Sequence, residues 1–118
     1  MQPTVLTGTR PDMSVVREEI FGPVVCAIPF DDDDLDRIAR TANDTSYGLA
    51  AGIWTRDLGI AHKLAKRIKA GTVWINTRNF GDPALPFGGY KQSGWGREMG
   101  FEAIELYTEV KAVAAALP

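Results

Sequence analysis

Short apolar runs alternate along the chain with stretches of helical periodicity, and this alternation is the feature that most limits the possible folds. The runs at 24–28, 48–54 and 72–76 are typical of strands buried on both faces. Between them, apolar residues recur every three or four positions over 35–42 and 60–68. Strand, helix, strand, helix, strand predicts an α/β fold with a parallel sheet and flanking helices.

The flanking segments are less regular. Residues 4–7 favour a short strand, and residues 13–20 fit either a short helix or an irregular link. Asp57 is placed to cap the second long helix and Gly71 to stop it. The remaining pattern predicts a glycine-rich loop, then a helix and a final strand, over 77–96, 97–107 and 108–117. This final strand has no obvious neighbour within the chain.

Composition excludes several classes of protein. A formal charge of −2 argues against nucleic-acid binding, and the apolar runs are too short to cross a membrane. A single cysteine forms no internal disulfide, and with a single histidine it is too small a set for a zinc site. Because residues 1–15 have no secretory signal pattern, we expect one cytoplasmic unit.

The individual reactive residues have structural explanations. Cys26 lies in an apolar run without a nearby base, which is typical of a buried strand cysteine. His62 falls on the polar face of its helix, and the aspartates 31–34 precede a helix in the manner of a loop and cap. Neither common nucleotide-binding glycine fingerprint occurs in the chain.

Two segments remain open to either a binding or a structural interpretation. In the segment 18–23 (EEIFGP), a carboxylate stands two positions before an aromatic residue and a Gly-Pro turn. Such a pair would hold a ribose diol, or it is surface charge beside a packed phenylalanine. The glycine-rich stretch 86–96 allows close backbone approach at a ligand or subunit contact, or it is a packed loop.

Taken together, these segments resemble the C-terminal part of the NAD(P)-dependent aldehyde dehydrogenases. The resemblance lies in five stretches that run in the family order and cover almost the whole chain. They are MSVVREEIFGPVV (13–25), ANDTSYGLAAGIWTRD (42–57), AGTVWIN (70–76), LPFGGYKQSGWGREMG (85–100) and LYTEVKAV (106–113).

The resemblance implies a division of the chain into two parts. Residues 1–105 would be the C-terminal part of the catalytic α/β domain, a parallel sheet with flanking helices. Residues 106–118 would be the terminal oligomerisation strand, which joins a sheet between subunits of a homo-oligomer. This placement would also supply the neighbour that the strand over 108–117 lacks.

The family oxidises an aldehyde to an acid: a cysteine thiolate attacks the carbonyl, hydride passes to nicotinamide, and water hydrolyses the thioester. The family nucleophile and general base lie before the matched stretches, and Cys26 does not match the nucleophile. The resemblance therefore implies that this chain alone is inactive.

Several residues match family positions with assigned roles. Glu19 matches the glutamate that binds the nicotinamide ribose hydroxyls, and Phe21 matches the phenylalanine that packs on that end of NAD or NADP. Glu98 matches a buried glutamate proposed in some members as a proton relay. The resemblance also implies substrate contacts at Phe80 and Phe87. It implies no catalytic metal, although Lys91 and Gly94 match backbone carbonyls that hold a potassium ion in some betaine-aldehyde members.

The substrate and the alternative functions follow from the same residues. The stretch from Asn79 to Gly94 is most similar to members that act on arylacetaldehydes, with betaine-aldehyde and aliphatic enzymes next. A different class of function is a stand-alone interaction module that keeps the oligomerisation strand and has no catalytic role. A small complete enzyme using Cys26 is the weakest interpretation.

Overall fold

The computed structural model describes residues 1–30 and 34–118. Strands and helices alternate as the apolar pattern predicts, and residues 13–20 contain a short helix. Three of the four aspartates predicted to form a loop and cap, at 31–33, lie outside the described residues. In chain order the elements are β1 (Thr4–Leu6), α1 (Ser14–Arg17), β2 (Val24–Cys26), α2 (Leu35–Asn43), β3 (Ala50–Ile53), α3 (Leu58–Arg67), β4 (Thr72–Ile75), a 3₁₀ turn (Lys91–Ser93) and α4 (Glu102–Glu105).

The four strands form two separate parallel pairs. In β1–β2, Val5 lies opposite Val25, and in β3–β4, Gly52 lies opposite Trp74. The α/β class with parallel strands is confirmed, but the predicted single sheet of β2, β3 and β4 is wrong within the described residues. An apolar pattern reports that a strand is buried, not which strand lies beside it. Each pair therefore keeps backbone edges that no described strand occupies.

Aspartates begin both of the longer helices. Oδ1 of Asp34 accepts hydrogen bonds from the amides of Asp36 and Arg37 at 3.0 and 2.9 Å. Oδ1 of Asp57 accepts one from the amide of Ile60 at 2.9 Å, as predicted. These bonds satisfy amides that have no partner inside the helix. The amide of Arg37 is the main reason that the pKa of the Asp34 carboxyl lies below its ordinary value.

The core is small and centres on α3, which packs against α2 and against β3. Asn43, the last residue of α2, ties the ends of the two helices together. Its Nδ2 donates to the carbonyl of Arg67 at 2.8 Å, and its Oδ1 accepts from the amide of Lys69 at 2.7 Å. Among the described residues, the buried apolar side chains are those of Ala39, Ile53, Ala61 and Leu64.

Gly71 does not stop α3 as the sequence predicts, because α3 ends at Arg67. Gly71 precedes β4, where its amide donates to the carbonyl of Gly48 at 3.0 Å. A Cβ atom at this position would overlap the carbonyl oxygen of Gly88. The glycine is needed because the start of β4 and the glycine-rich segment touch through their backbones.

The chain is elongated rather than closed around a core. Its radius of gyration is 19.3 Å and its extents are 77 × 36 × 25 Å, whereas a compact domain of 100 residues has a radius of about 13 Å. Large apolar side chains such as Val25, Phe30 and Trp54 remain exposed. Within the described ranges, the helices are too short or too polar to cross a membrane. The elongated shape is typical of a segment that packs against further polypeptide.

The C-terminal part departs from the sequence expectation. Residues 108–118 have no regular secondary structure, and Val110 and Leu117 are fully or almost fully exposed. The strand predicted over 108–117 is thus absent from the single chain, because a strand needs a neighbour to bond its backbone. The helix predicted over 97–107 shortens to α4, since Glu98 pairs with Phe87 instead.

Candidate cofactor and substrate site

Glu19 and Phe21 lie in the connection between α1 and β2. The connection is exposed along its length: the amide of Glu18 closes α1 on the carbonyl of Ser14, and β2 begins at Val24. Phe21 is 92% exposed and has a φ of 51°, in the left-handed region that bulky side chains rarely adopt. Both side chains line a groove of about 480 Å³ along β2.

The two side chains offer a charged acceptor and an apolar face on one groove. The carboxylate of Glu19 makes none of the side-chain hydrogen bonds or ion pairs found in residues 1–30 and 34–118, so its oxygens are available to two hydroxyl donors. The exposed ring of Phe21 offers an apolar face nearby. A ribose diol with an attached planar ring is complementary to this pair.

Glu19 also lines a second groove, of about 500 Å³, together with the residues that lead into β3. The lining of this groove also includes Gln92 and Ser93 of the 3₁₀ turn. Two hydrogen bonds hold the turn in place: Ser93 Oγ accepts from the amide of Gly48 at 3.0 Å, and the amide of Gln92 donates to the carbonyl of Ser46 at 3.0 Å. The glycine-rich segment and Glu19 therefore line the same groove.

A third groove, the Phe87 groove, is lined by three aromatic side chains. It has a volume of about 430 Å³. Its aromatic lining comes from Phe87, from Trp74 on β4 and from Trp54 just beyond β3. The other side chains that line it come from β3 and the residue before it, Leu49, and from Arg78 and Asn79.

Phe80, the second predicted substrate contact, lies near the Phe87 groove without lining it. Nε1 of Trp74 donates to the carbonyl of Phe80 at 2.9 Å, which holds the loop after β4. From the sequence, Trp74 was predicted as a strand residue and not as a groove residue. The available signal was its position near the carboxyl end of β4, where ligands of parallel sheets bind.

Arg78 is the charged member of the Phe87 groove and was also missed. Its guanidinium makes none of the hydrogen bonds or ion pairs that the described ranges contain, and the groove lining includes no acidic side chain. Asn79, next to it, has a φ of 54°. The loop thus places a free positive charge beside three aromatic rings.

Phe87 and Glu98 form an isolated antiparallel bridge. Each amide donates to the other residue's carbonyl at 2.7 Å. The backbone of the predicted relay glutamate is thereby fixed next to the predicted substrate contact. Glu98 itself is exposed in the single chain, although the family position is a buried one.

Lys91 and Gly94 lie at the two ends of the 3₁₀ turn, where the carbonyl of Lys91 accepts from the amide of Gly94 at 3.2 Å. The side chain of Lys91 has a separate role that the sequence did not reveal. Its Nζ donates to the carbonyls of Asn43 and Thr45 at 2.9 and 3.0 Å, at the C-terminal end of α2. A cation there complements the negative end of the helix dipole.

Of the remaining reactive residues, Cys26 lines the groove along β2 and His62 lies outside the three grooves. Cys26 is half-buried in β2 with Sγ 3.4 Å from the carbonyl of Val15, an arrangement typical of a structural cysteine. His62 is exposed on α3. Among the described residues, no three His, Cys, Asp or Glu side chains cluster as metal ligands.

Comparison with known proteins gives one consistent family. The sequence profile of the aldehyde dehydrogenase family matches residues 1–113. Betaine aldehyde dehydrogenase 1 from Rhizobium meliloti is 52% identical over 113 residues, which are 96% of this chain and 23% of that protein.

Solved structures agree with the sequence comparison. The NAD⁺ complex of aldehyde dehydrogenase from Bacillus cereus matches with a TM-score of 0.89 and 54% identity, over 95% of this chain and 22% of that one. A mutant of P. syringae indole-3-acetaldehyde dehydrogenase, in complex with NAD⁺ and IAA, matches with a TM-score of 0.86 and 46% identity, over 92% of this chain and 22% of that one.

The chain spans about a fifth of the length of the relatives that it matches. Within that span the similarity extends over both strand pairs and the residues of all three grooves, since the profile match runs from 1 to 113. The sequence profile and the fold agree, and this chain belongs to the aldehyde dehydrogenase family.

Proposed function

We propose that this chain is the C-terminal part of the catalytic domain of an NAD(P)-dependent aldehyde dehydrogenase. The reaction of the complete enzyme oxidises an aldehyde to a carboxylic acid through a cysteine thioester, and nicotinamide dinucleotide is the hydride acceptor. The observation that carries the proposal is the pair Glu19 and Phe21, one an unpaired carboxylate and the other an exposed ring in the left-handed region, on one groove.

In this proposal Glu19 accepts hydrogen bonds from both hydroxyls of the nicotinamide ribose. A carboxylate offers two oxygens and can take both donors at once, and bonds to a charged acceptor are stronger than neutral ones. Phe21 packs against the same end of the cofactor. The φ of 51° is a conformational cost, and such costs are concentrated at binding sites, where they pre-organise a side chain.

The open edges of the two strand pairs support a place inside a larger sheet. Parallel strands occur almost only in sheets covered on both faces, and neither pair has such cover in the described residues. We propose that strands from another part of the polypeptide lie between β2 and β3 and unite the pairs. Residues 1–105 then complete the catalytic domain, and 106–118 form the strand of a homo-oligomer.

The substrate side of the proposal rests on the Phe87 groove. Phe87, with Phe80 held nearby through Trp74, forms an apolar aromatic wall suited to the body of an aldehyde. The backbone bridge to Phe87 holds Glu98 next to this groove residue, and Glu98 is the proposed proton relay. The carbonyls of Lys91 and Gly94 remain the proposed potassium ligands.

The chain alone lacks the chemistry for turnover in this proposal. Cys26 is engaged with the carbonyl of Val15 and lies outside the Phe87 groove, so it does not provide the nucleophile. The nucleophile, the general base and the glycine-rich turn for the cofactor phosphates come from the rest of the enzyme. A stand-alone interaction module, which would use the exposed residues 108–118, is the alternative function.

A chimeric enzyme tests the proposal directly. Residues 1–118 would replace the matching segment of the Bacillus cereus aldehyde dehydrogenase, to which the chain is 54% identical. We expect the chimera to reduce NAD⁺ with an aldehyde, and the 118-residue chain to have no such activity. A chimera with native circular dichroism and bound NAD⁺ but no aldehyde oxidation would contradict the proposal.

The same preparation distinguishes the alternative. If the 118-residue chain by itself forms one discrete oligomer by light scattering and the chimera is inactive, the interaction module is the better account. If the chimera is active and the chain alone is monomeric or aggregated, the enzyme segment is the better account.

A further inference from the structure

We propose that Arg78 is a specificity-determining residue that selects aldehydes carrying a negative charge and rejects those carrying a quaternary ammonium group. This inference rests on the proposed function and extends it to the substrate class. It concerns the Phe87 groove, which combines three aromatic side chains with this single positive charge.

The charge of Arg78 is uncompensated in the groove. The guanidinium has no ion pair or hydrogen bond among those of the described ranges, and no acidic side chain is present in the groove lining. A guanidinium keeps its charge at all physiological pH values and presents a planar fork of donors that matches a carboxylate. The groove is therefore positive as well as apolar.

Hydrogen bonds of neighbouring residues hold the backbone on both sides of Arg78. Trp74 bonds the carbonyl of Phe80 at 2.9 Å, and Asn76 joins the ends of β3 and β4 through two hydrogen bonds with the backbone of Thr55, at 2.8 and 2.9 Å. Arg78 lies in the sequence between Asn76 and Phe80, which these bonds hold in place. Its Cα is thus held beside the aromatic wall, and only its side chain remains to adjust.

Aromatic walls alone would suit either sign of substrate charge. Rings bind quaternary ammonium groups through cation–π contacts, which is consistent with a betaine aldehyde as ligand. A nearby guanidinium opposes such a ligand by charge repulsion and favours a carboxylate at the same distance. The relative from Rhizobium meliloti is named a betaine aldehyde dehydrogenase, whereas Arg78 predicts the opposite preference for this chain.

The test uses three aldehydes that share one aromatic body and carry a negative, a neutral or a positive group. They are phenylacetaldehydes with a para carboxylate, a para methyl ester or a para trimethylammonium group, and the enzyme is the active chimera. In Arg78→Gln, we expect the ratio of kcat/KM for carboxylate over trimethylammonium to fall about tenfold, and kcat/KM for the neutral ester to change less than that for either charged aldehyde. Arg56→Gln, at an exposed arginine outside the groove, should leave the ratio unchanged.

An equal ratio in Arg78→Gln and the unsubstituted chimera would overturn the inference. So would an equal change in Arg56→Gln, because that result would reflect overall charge rather than the groove. An unsubstituted chimera that oxidises none of the three aldehydes would contradict the proposed function, and binding then tests Arg78 separately.

The binding measurement needs no turnover. The chain has three tryptophans, of which Trp54 and Trp74 line the groove and Trp95 does not. In a Trp95→Phe chain, we expect phenylacetate to change the tryptophan fluorescence at lower concentration than phenyltrimethylammonium does. Adding Arg78→Gln should remove this difference. Equal affinity for the two probes before the substitution would overturn the inference.

Discussion

The backbone at Gly71 touches the carbonyl of Gly88, so closely that a Cβ atom on Gly71 would occupy the same space as that oxygen. Two distant parts of the chain, the start of β4 and the glycine-rich segment, meet at this contact. Phe87 and the 3₁₀ turn, which contribute to the candidate grooves, lie on either side of Gly88. The contact therefore links strand geometry to the position of the site.

Replacing Gly71 by alanine should destabilise the chain, because backbone hydrogen bonds of Gly71 and of Phe87 and Tyr90, on either side of Gly88, hold the two segments in contact. We expect a loss of about 2 kcal/mol in the free energy of unfolding, measured by urea denaturation. Gly81→Ala is the matched control, since a Cβ there has nothing within 4 Å, and should change stability by less than about 0.5 kcal/mol. Equal effects at the two glycines would show that the close contact is absent.

The Phe21→Gly variant should be more stable than the Phe21→Ala variant. Both substitutions remove the ring, but only glycine adopts a φ of 51° without steric cost. We expect Phe21→Gly to be about 1 kcal/mol more stable than Phe21→Ala by urea denaturation. The same two substitutions at Glu18, with a φ of −102°, should give the opposite order. A glycine no better than alanine at Phe21 would contradict the left-handed conformation.

The cap of α2 should make stability depend on pH in the acid range. Asp34 has a lowered pKa in the folded chain, chiefly because the amide of Arg37 bonds its carboxylate. Its ionised form therefore stabilises the fold above the ordinary aspartate pKa, and this contribution disappears as the pH falls through the lowered value.

Asp34→Asn isolates that contribution, because asparagine caps a helix equally well without a charge. The difference in unfolding free energy between the unsubstituted chain and the Asp34→Asn variant should be constant near neutrality and shrink in acid. Urea denaturation at a series of pH values measures it. A difference that stays constant into acid would contradict a lowered pKa.

Replacing Glu19 should raise the KM for NAD⁺, whereas replacing Glu18 should not. In the active chimera, Glu19→Gln removes the charge that accepts the ribose hydroxyls, and we expect the KM for NAD⁺ to rise about tenfold. Glu18→Gln changes an adjacent exposed carboxylate and should alter KM by less than about twofold. Steady-state kinetics with NAD⁺ as the varied substrate measures both. Glu18 lines the same groove along β2, so equal effects would mean that the negative charge of this groove, rather than the position of Glu19, attracts the cofactor.

The terminal segment should be accessible in the isolated chain and protected in an assembly. Trypsin should cleave after Lys111, in the exposed residues 108–118, before it cleaves after Lys66 in α3. In an oligomeric chimera, a strand formed by these residues should protect Lys111. Mass spectrometry of the early fragments measures the order. Equally rapid cleavage at Lys111 in the chimera would argue against the terminal strand.

Local structure was predictable from sequence wherever the signal was itself local. The period of the apolar residues predicted α2 and α3, and Asp57 marked the start of α3 as expected. These features depend on residues a few positions apart, so one sequence contains the information. The family followed from five ordered stretches for the same reason.

The pairing of strands and the lining of the grooves were not predictable in this way. The order of β2 and β3 depends on neighbours that the apolar pattern does not identify. Gly71 was interpreted as a helix stop because the contact with Gly88 joins distant parts of the sequence. Trp74 and Arg78 line a groove because the fold brings β4 and the loop after it next to Phe87. The proposed roles of Glu19, Phe21 and Glu98 remain predictions.

The separation of the strands into two parallel pairs has a consequence for how the chain unfolds. In the sequence, α1 lies between the strands of the first pair and α3 lies between the strands of the second. Within the described residues, no sheet hydrogen bond joins the two pairs. Amide hydrogen exchange should therefore resolve two units with different opening free energies below the global unfolding of the chain. The β3–β4 unit, which contains Ile53, Ala61 and Leu64, should exchange more slowly. In the proposed complete enzyme, strands that lie between the pairs would merge the two units into one.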